Sequence, residues 1–396
     1  MFGKTKFIST LSYQNDQRKE LEKGDTEDNP FLGFNMNLVT LDLKADHKVN
    51  DHISFILGGT GSFLNNLNFG YSKLIPDYHQ LDISAYTLGR LNLYHQKLLI
   101  DLGARYDHRN MNSVSSGVKD SVDYMPSITK TYENICGSFG MNYNVYQSLY
   151  IYANAGSGYR APNMAELTSN GIRLETQRYE IGNSSFLKET SLTGESGIRY
   201  QHEFLDFEAA YFYQYIQNYI YITPRGDSIS GKPVYVFNQA DATINGWEAS
   251  MNIHPTTVKW MNLTSSYSSL IGQQLNGTYL PLMPANKWNS EILFHKNIFK
   301  KIEHSFLRIS YLYVFEQGFT AQNELSTPSY QIVNFSIGGE IKIMKQKLII
   351  CTGVNNLLNE TYYDHLSRLR PYGVYNIGIN GFVNIKIPLT WENKSK

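Results

Sequence analysis

Two pairs of acidic residues are placed where they could act as general acid and base. Asp101 and Asp107 share one face of a predicted strand, and Asp206 and Glu208 share one face of another. Glycosidases use such carboxylate pairs to protonate a leaving group and to activate water. Acidic side chains on the polar face of a strand are more often a solvated wall, and no convincing catalytic constellation surrounds either pair. We therefore predict that the protein is not an enzyme.

The side chains that usually bind metals are scattered along the chain. Cys136 and Cys351 lie far apart, each inside a predicted strand, and no CxxC pair is present. The ten histidines include His47, His52, His79, His108 and His365, which lie in predicted turns, loops or near strand ends. No pair of them has the spacing of a zinc site. The sequence predicts neither a metal site nor a bound cofactor.

A glycine-rich run, Gly58-Gly59-Thr60-Gly61, superficially resembles a phosphate-binding loop. A phosphate loop of this kind continues with Lys-Ser or Lys-Thr, and neither dipeptide follows here. The surrounding residues have the alternation of a strand, where glycine relieves crowding in a curved sheet. We interpret the run as part of a strand.

Composition favours a protein built from β-strands. Tyr and Phe number 30 and 20 of 396 residues, and 18% of the chain is charged. Aromatic residues suit a pleated surface. Mean hydropathy is -0.35, and no run of about 18 apolar residues is found, which excludes a helical membrane protein. A membrane β-barrel is compatible with this hydropathy because its strands average apolar and polar faces.

Equal numbers of acidic and basic residues, 35 each, give no indication of nucleic-acid binding.

About sixteen segments show the alternation of a half-buried strand. In residues 98–109, Leu102, Ala104 and Tyr106 fall on one face, while Asp101 and Arg105 fall on the other. The last predicted strand, residues 377–389, alternates most regularly. Many of these segments reach about ten residues, which is the length of a tilted membrane strand and long for a soluble sandwich.

The predicted connections alternate between short turns and long links. The short turns are residues 45–51, 94–97, 145–148, 203–205, 254–258, 297–302 and 344–347. The long links are residues 16–30, 68–79, 111–131, 158–189, 224–233, 272–286, 316–329 and 363–375. Short periplasmic turns and long external loops are typical of an up-and-down outer-membrane barrel. We therefore expect an all-β, antiparallel transmembrane barrel wall with its long links outside.

The longest link, residues 158–189, has charges and glycines but no sustained apolar run. It is far longer than a hairpin requires, so we expect a functional loop or a disordered one. It opens with Gly158-Tyr159-Arg160-Ala161-Pro162-Asn163, followed by Glu166-Leu167. Further on, the chain contains Ile244-Asn245-Gly246-Trp247-Glu248 and, near its end, Val354-Asn355-Asn356-Leu357-Leu358-Asn359-Glu360-Thr361-Tyr362. The order and spacing of these three motifs resemble those of TonB-dependent outer-membrane receptors.

The resemblance covers nearly the whole chain and carries expectations about architecture. Such receptors form a 22-stranded barrel with a plugged lumen. Sixteen strands would leave about six strands, the plug and the leader outside this chain. We expect residues 1–389 to form the C-terminal portion of the barrel and residues 390–396 a polar tail.

Two segments depart from the family pattern. The family's loop usually ends with Gly-Asn, a leucine and Lys-Pro-Glu, whereas residues 182–189 here contain an extra residue and no proline. The last strand usually follows a Gly-Arg pair and ends the chain on an aromatic residue. Here the arginine is missing, and Trp391-Glu392-Asn393-Lys394-Ser395-Lys396 follows the strand.

The resemblance also implies a function. Family members move a bulky, scarce nutrient across the outer membrane of Gram-negative bacteria, with energy delivered by TonB through the plug. An iron complex, siderophore or haem, is the expected cargo, and outer-membrane lipid is the expected surroundings. TonB would act through the N-terminal part that this chain does not contain.

The candidate ligand-binding residues lie in the two loops that the motifs mark. Aromatic rings can stack on a bulky ligand, and arginines can bind its carboxylates, hydroxamates or phosphates. The candidates are Arg160, Asn163, Glu166, Arg173, Arg178, Tyr179, His365, Arg368 and Arg370. Arg160 lies beside Pro162 at a strand end, so we expect it to anchor the loop to the barrel wall.

Two alternatives remain open at this stage. A self-sufficient, passive porin of sixteen strands would need a leader and a constricting loop inside the lumen. A soluble all-β glycan-binding or glycan-processing protein would bury its apolar strand faces against a second sheet.

Overall fold

The computed structural model describes residues 4–296, 302–322, 324–343 and 346–388. The strands are β1 (Thr5–Glu20), β2 (Leu32–Lys48), β3 (Ile53–Phe69), β4 (Tyr78–Leu93), β5 (Leu98–Ser113), β6 (Thr129–Tyr146), β7 (Leu149–Arg160), β8 (Asn170–Arg173), β9 (Arg178–Ile181), β10 (Glu189–His202), β11 (Leu205–Ile229), β12 (Lys232–Ile253), β13 (Met261–Gln274), β14 (Lys287–His295), β15 (Ile302–Val314), β16 (Tyr330–Ile343), β17 (Gln346–Asn355) and β18 (Asn380–Lys386). One α-helix, α1 (Met164–Thr168), and two 3₁₀ turns, Leu174–Thr176 and Arg370–Tyr372, complete the described elements. In the part of the chain that the structure describes, no helix is long and apolar enough to span a bilayer.

The strands form one antiparallel sheet in chain order. Each wall strand pairs with the next one, from β1 with β2 through to β17 with β18. Strands β8 and β9 lie inside one loop, so the register runs directly from β7 to β10 and leaves sixteen strands in the wall. The prediction of an all-β, up-and-down wall of about sixteen strands is confirmed. Among the described residues β1 and β18 do not pair, so the sheet is not closed.

The two faces of the sheet differ as the alternation predicts. Leu102, Tyr106 and Ile135 share one face and are 50%, 42% and 77% exposed. The other face carries ion pairs such as Arg109 Nε with Asp82 Oδ1 at 2.5 Å. An apolar outer face and a charged inner face are the arrangement of a membrane barrel. A second sheet that would cover the apolar face is not found among the described residues, so the sandwich packing of a soluble alternative is wrong for this part of the chain.

The acidic residues first considered for catalysis belong to that charged face. Asp101 accepts two hydrogen bonds from Arg90, at 2.7 and 2.9 Å. Asp107 pairs with Arg105 at 2.7 Å, and Glu208 pairs with Arg199 at 2.8 Å. Each of these three carboxylates is therefore neutralised by an arginine on its own or a neighbouring strand.

The connections alternate in length, with one exception. The predicted long link 224–233 is instead the tip of a hairpin, because β11 and β12 continue to Ile229 and Lys232. These extensions are paired through Ser228 and Pro233, with register shifts after Ile216 and after Pro224. Backbone pairing therefore continues through a stretch that we predicted as a long link. The predicted turns 297–302 and 344–347 lie largely outside the described residues.

The last strand is shorter than predicted. Its partner β17 ends at Asn355, which pairs with Asn380, so the preceding residues have no strand beside them. The amide of Ile379 instead donates to Oδ1 of Asn359 at 2.9 Å. Residues 377–379 therefore belong to the preceding loop, and residue 389 lies outside the described residues.

A hydrophobic core lies where the long loops meet, at one end of the sheet. Phe31, Leu74, Met111, Leu167 and Phe186 are all buried within it. They come from the links after β1 and β3, from the end of β5, and from two points of the link after β7. These loops form a packed layer. Each large apolar side chain buried in it stabilises the folded protein by roughly 2 kcal/mol.

Candidate ligand-binding loops

The segment after β7 begins with a capped helical turn. The side chain of Asn163 accepts a hydrogen bond from the amide of Glu166 at 2.9 Å, and Glu166 Oε2 accepts one from the amide of Asn163 at 2.8 Å. This reciprocal capping box satisfies two amides that the helix itself cannot satisfy. Met164 and Leu167, on the other side of α1, are each 2% exposed in the loop core.

Arg160 fastens this turn to the wall. Its Nη1 donates to both oxygens of Glu166, at 2.9 and 2.8 Å. Its Nε and Nη2 donate to Glu189, the first residue of β10, at 2.6 and 2.8 Å. Glu189 also accepts from the amide of Ile220 in β11. The guanidinium thus joins the last residue of β7, the helical turn and two further strands by charge-assisted bonds.

The middle of the segment folds into a hairpin that extends the sheet. Strand β8 pairs with β9, and β9 pairs in parallel with the extension of β12, where Val234 lies opposite Tyr179. Gly171 packs tightly, since a Cβ there would lie 2.4 Å from the carbonyl oxygen of Lys73. The β8–β9 hairpin is therefore held from both sides, by β12 and by the link after β3.

Tyr179 is a buried residue of this hairpin. It is 3% exposed, and its hydroxyl donates to Asn170 Oδ1 at 2.9 Å. Asn170 in turn donates to the carbonyl of Val122 at 2.8 Å. Burial, followed by the charge of Asp123, raises the pKa of Tyr179, because a low-dielectric site disfavours the phenolate. The residue therefore acts as a neutral donor that ties two loops together.

Two arginines of the hairpin share one buried carboxylate. Arg173 Nε lies 2.8 Å from Glu180 Oε1, and Arg178 Nε lies 2.7 Å from the same oxygen. The Glu180 side chain is fully buried, whereas those of Arg173 and Arg178 are 25% and 22% exposed. Arg178 also lies over the ring of Tyr235, 4.9 Å from its centroid. Two guanidiniums for one carboxylate leave one positive charge in excess.

The loop between β17 and β18 is organised around His365, which is 5% exposed. Its Nδ1 lies 2.6 Å from Thr327 Oγ1 and 2.7 Å from Arg370 Nη1. Its Nε2 lies 3.2 Å from Glu324 Oε1. Arg370 also donates to the carbonyls of His365 and Leu325. We refer to Glu324, Thr327, His365 and Arg370 as the loop knot.

Glu324 connects the loop knot to a third loop. Its Oε1 accepts from the amide of Leu282 at 3.1 Å, and its Oε2 accepts from the amide of Ala321 at 3.2 Å. Burial alone would raise the pKa of Glu324, but the hydrogen bonds from His365 and from these two amides lower it below its ordinary value. The carboxylate is therefore ionised and joins the links after β13, β15 and β17.

Arg368 is directed toward the other loop system. Its side chain is 74% exposed, and its Nη1 lies 3.3 Å from Glu175 Oε2. Glu175, in the 3₁₀ turn between β8 and β9, also accepts from Arg18 of β1 at 2.6 Å. One carboxylate thus joins an early strand, the loop after β7 and the last loop.

The nine predicted residues therefore fall into four settings. Arg160, Asn163 and Glu166 form one anchor, and Arg173, Arg178 and Tyr179 belong to the hairpin. His365 and Arg370 form the loop knot, and Arg368 reaches Glu175. The acidic partners that the sequence analysis missed are Glu175, Glu180, Glu189 and Glu324, together with Thr327. An acid in a loop has no diagnostic spacing, so no sequence signal pointed to them.

One group of possible metal ligands lies among the described residues, away from these loops. Glu303, His304 and Glu340 lie close together at the ends of β15 and β16. Lys342 Nζ lies 2.9 Å from Glu303 Oε1, and Lys347 pairs with Glu340. Because each carboxylate already has a lysine, we do not assign the group as a metal site.

The sheet and its loops define a class of protein. An antiparallel wall of sixteen strands, apolar on one face and charged on the other, with a packed layer of long loops at one end, has the architecture of a receptor-type β-barrel wall. Residues 4–357 match the family model described as TonB dependent receptor-like, beta-barrel. The chain therefore belongs to this family.

TonB-dependent heme receptor A of Haemophilus ducreyi is 24% identical over 252 residues, which cover 57% of this chain and 33% of that protein. The chain thus spans about a third of the length of this curated relative.

Solved structures show the same fold. The copper transporter OprC superposes with a TM-score of 0.74 at 15% identity, covering 96% of this chain and 61% of that one. The FrpB iron transporter of Neisseria meningitidis, F5-1 variant, gives 0.72 at 12% identity, covering 97% and 61%. The siderophore receptor PirA of Acinetobacter baumannii gives 0.67 at 15% identity, covering 96% and 59%.

Proposed function

We propose that the chain forms barrel wall and ligand loops of a receptor in the outer membrane of a Gram-negative bacterium. The receptor takes up a bulky, scarce nutrient, namely an iron complex of the siderophore or haem type. The observation that carries the proposal is the packed layer of long loops at one end of the sheet, which is held together by Arg160, Glu180 and the loop knot. A packed loop layer that contains arginines suits recognition of a large anionic or aromatic ligand.

The named relatives support the class of cargo. One is a heme receptor, one an iron transporter and one a siderophore receptor. OprC, whose wall superposes at least as well, is named as a copper transporter. We place the iron complex first because three of these four names refer to iron or haem.

The nine candidate residues divide into two proposed roles. Those tied into buried contacts, Arg160, Asn163, Glu166, Tyr179, His365 and Arg370, position the loops. Arg368 is 74% exposed, and no acceptor is found among the described residues for Nη1 of Arg173 or of Arg178. We assign these three arginines to ligand contact. Guanidinium forks bind carboxylate and phosphate oxygens in two parallel hydrogen bonds.

The energy for uptake comes from TonB, acting through a plug that belongs to the N-terminal part of the receptor. The loops described above carry no chemistry of their own in this scheme. They capture the complex, which leaves unchanged through the lumen, so the protein works as a transporter and not as an enzyme.

The proposal is tested by binding of iron complexes to the purified full chain in detergent. Radioactive iron supplied as a hydroxamate, a catecholate, a citrate complex or haemin is measured by equilibrium dialysis. One complex should bind saturably, with a Kd on the order of 1 μM or tighter. Arg368→Ala should weaken that binding by about tenfold, as expected for a lost charge-assisted contact.

The matched control is Arg225→Ala, which removes an exposed arginine that pairs with Asp227 at the β11–β12 hairpin tip. It should bind like the unmodified chain. Saturable binding of none of the four complexes would overturn the iron assignment. Ion conduction in planar bilayers that no ligand blocks would favour the passive porin, and extraction without detergent would favour a soluble glycan-binding protein.

A further inference from the structure

The most unusual charge arrangement in the loop layer is the pair Arg173 and Arg178. They are direct cross-strand partners in the β8–β9 hairpin. Like charges in opposite positions of an antiparallel pair are destabilising. Their positions are also fixed on both sides, because β9 pairs with β12 and Gly171 packs on Lys73. The fold therefore holds two cations together where backbone pairing prevents them from separating.

The carboxylate between them compensates for the repulsion incompletely. Both guanidiniums bind the same oxygen, Glu180 Oε1, while Glu180 Oε2 is buried and has no hydrogen-bond partner among the described residues. Leaving a buried charged oxygen unpaired costs stability. One carboxylate cannot neutralise two guanidiniums, so a net positive charge remains inside the hairpin.

The same geometry leaves donors available. A guanidinium has five N–H groups in a planar fork. Arg173 uses Nε, and Arg178 uses Nε and Nη2, for Glu180. In the described part of the chain no acceptor is found for Nη1 of either residue. Their side chains are 25% and 22% exposed, so solvent or a ligand can reach them. Arg178 is further oriented by the ring of Tyr235.

We propose that Arg173 and Arg178 form a site for an oxyanion, namely a carboxylate or phosphate group, with buried Glu180 as the residue that orients both guanidiniums. The inference deepens the proposed function, because such a group on the cargo would be held there, but it stands on the hairpin geometry alone. The two Nη1 groups together carry four N–H donors that an anion could accept, and the charge of the anion removes the excess that Glu180 leaves.

The test uses iron-free anions on the full chain in detergent. Citrate and inorganic phosphate should each raise the midpoint of thermal unfolding, since a ligand that binds the folded state stabilises it. Arg173→Gln and Arg178→Gln should each weaken the apparent affinity for citrate by about tenfold, and Arg178→Lys by less, because lysine keeps the charge but not the fork. Arg225→Gln, which makes the same change of charge at an ion pair elsewhere, should leave citrate binding unchanged.

A second measurement holds even if the glutamine variants fail to fold. Phenylglyoxal modifies accessible arginines, and mass spectrometry locates the adducts. Citrate should protect Arg173 and Arg178 in the unmodified chain while Arg225 reacts at the same rate with and without citrate. Equal protection of all three arginines, or no thermal shift with either anion, would overturn the site. Arg173, Arg178 and Glu180 would then be a purely structural ion cluster.

A third experiment distinguishes a soluble anion from a lipid headgroup as the source of the oxyanion. Bicelles that contain a lipid with a phosphate headgroup are compared with zwitterionic bicelles. Protection of the two arginines by the lipid but not by citrate or phosphate in solution would contradict a site for a soluble anion. If iron complexes bind and citrate does not, the proposed function stands and this site falls. If citrate binds and no iron complex does, this site stands and the proposed iron cargo is wrong.

Discussion

Nη1 of Arg370 lies 2.7 Å from Nδ1 of His365. A guanidinium can donate a hydrogen bond but cannot accept one, so Nδ1 of the imidazole is the acceptor. The ring proton of the neutral form therefore lies on Nε2, which faces Glu324 Oε1 at 3.2 Å. The hydroxyl of Thr327 accepts from Arg370 at 2.7 Å and lies 2.6 Å from Nδ1, so Thr327 and Arg370 share the single lone pair of that nitrogen. The four side chains of the loop knot are thus each within 3.2 Å of a neighbouring one, and Arg370 and Thr327 share Nδ1 of His365.

This arrangement makes the loop knot sensitive to acid through Glu324. Its pKa in the folded protein is lowered from the ordinary value of 4.5. A group with a depressed folded pKa contributes stability that is complete above the unfolded value and is lost as pH falls through the folded one. We therefore expect the Leu282 amide, which donates to Glu324, to exchange with solvent slowly above pH 5. Its protection should fall below about pH 4.5.

Hydrogen exchange read by mass spectrometry checks this expectation. Glu324→Gln should speed exchange at Leu282 about tenfold above pH 5, since a neutral amide is a weaker acceptor than a carboxylate. The two proteins should converge in acid. Glu316→Gln is the control, because Glu316 is an exposed acid of the same loop. A ratio of rates that is independent of pH would show that the charge of Glu324 does not hold the loops.

Arg160→Met should release the loop after β7 without unfolding the sheet. The change leaves Glu166 and Glu189, each with a side chain 11% exposed, without their shared cation. Breaking a buried pair costs several kcal/mol, but the arginine side chain is 43% exposed, which reduces the expected loss to about 2 kcal/mol. Chymotrypsin should cut residues 161–188 faster in this variant than in Arg225→Met. Equal cleavage would mean that the hydrophobic contacts of α1 hold the loop without Arg160.

The wall was predictable because its signal is repeated in every strand. The alternation of Leu102, Ala104 and Tyr106 with Asp101 and Arg105 needs no knowledge of distant contacts, and the structure places the two sets on opposite faces. Ends of strands were less predictable. The extension of β11 and β12 depends on their pairing with each other beyond the wall, and the late start of β18 depends on where β17 ends.

The sequence indicated which loop residues make contacts, but it did not indicate their partners. Arg160 at a strand end indicated an anchor, yet its partner Glu189 lies 29 positions away. Arg368 contacts Glu175 across 193 positions. Such pairs are set by the curvature of the sheet, which brings distant loops together at one end. A single sequence contains no local pattern that records this distance.

Gly246→Ala should destabilise the wall at the second of the motifs. A Cβ at this position would lie 2.1 Å from the carbonyl oxygen of Ser269 and 2.8 Å from the ring of Phe212. Backbone cannot move aside cheaply in a paired strand, so we expect a loss of about 2 kcal/mol. Gly194→Ala is the matched control, because nothing lies within 4 Å of its added Cβ. Urea unfolding in detergent micelles measures both, and equal midpoints would contradict the close approach.

Asn356→Ala should destabilise the turn that follows β17. Asn356 is 3% exposed and has a φ of 50°, in the left-handed region. Its side chain donates to the carbonyl of Glu360 and accepts from the Glu360 amide, each at 2.8 Å. Alanine removes both hydrogen bonds and disfavours the positive φ, which together cost about 3 kcal/mol. Glycine removes the same bonds but tolerates the conformation, so Asn356→Gly should lose about 1 kcal/mol less. Unfolding midpoints in urea give both values, and an alanine variant as stable as the glycine variant would show that the hydrogen bonds alone hold the turn.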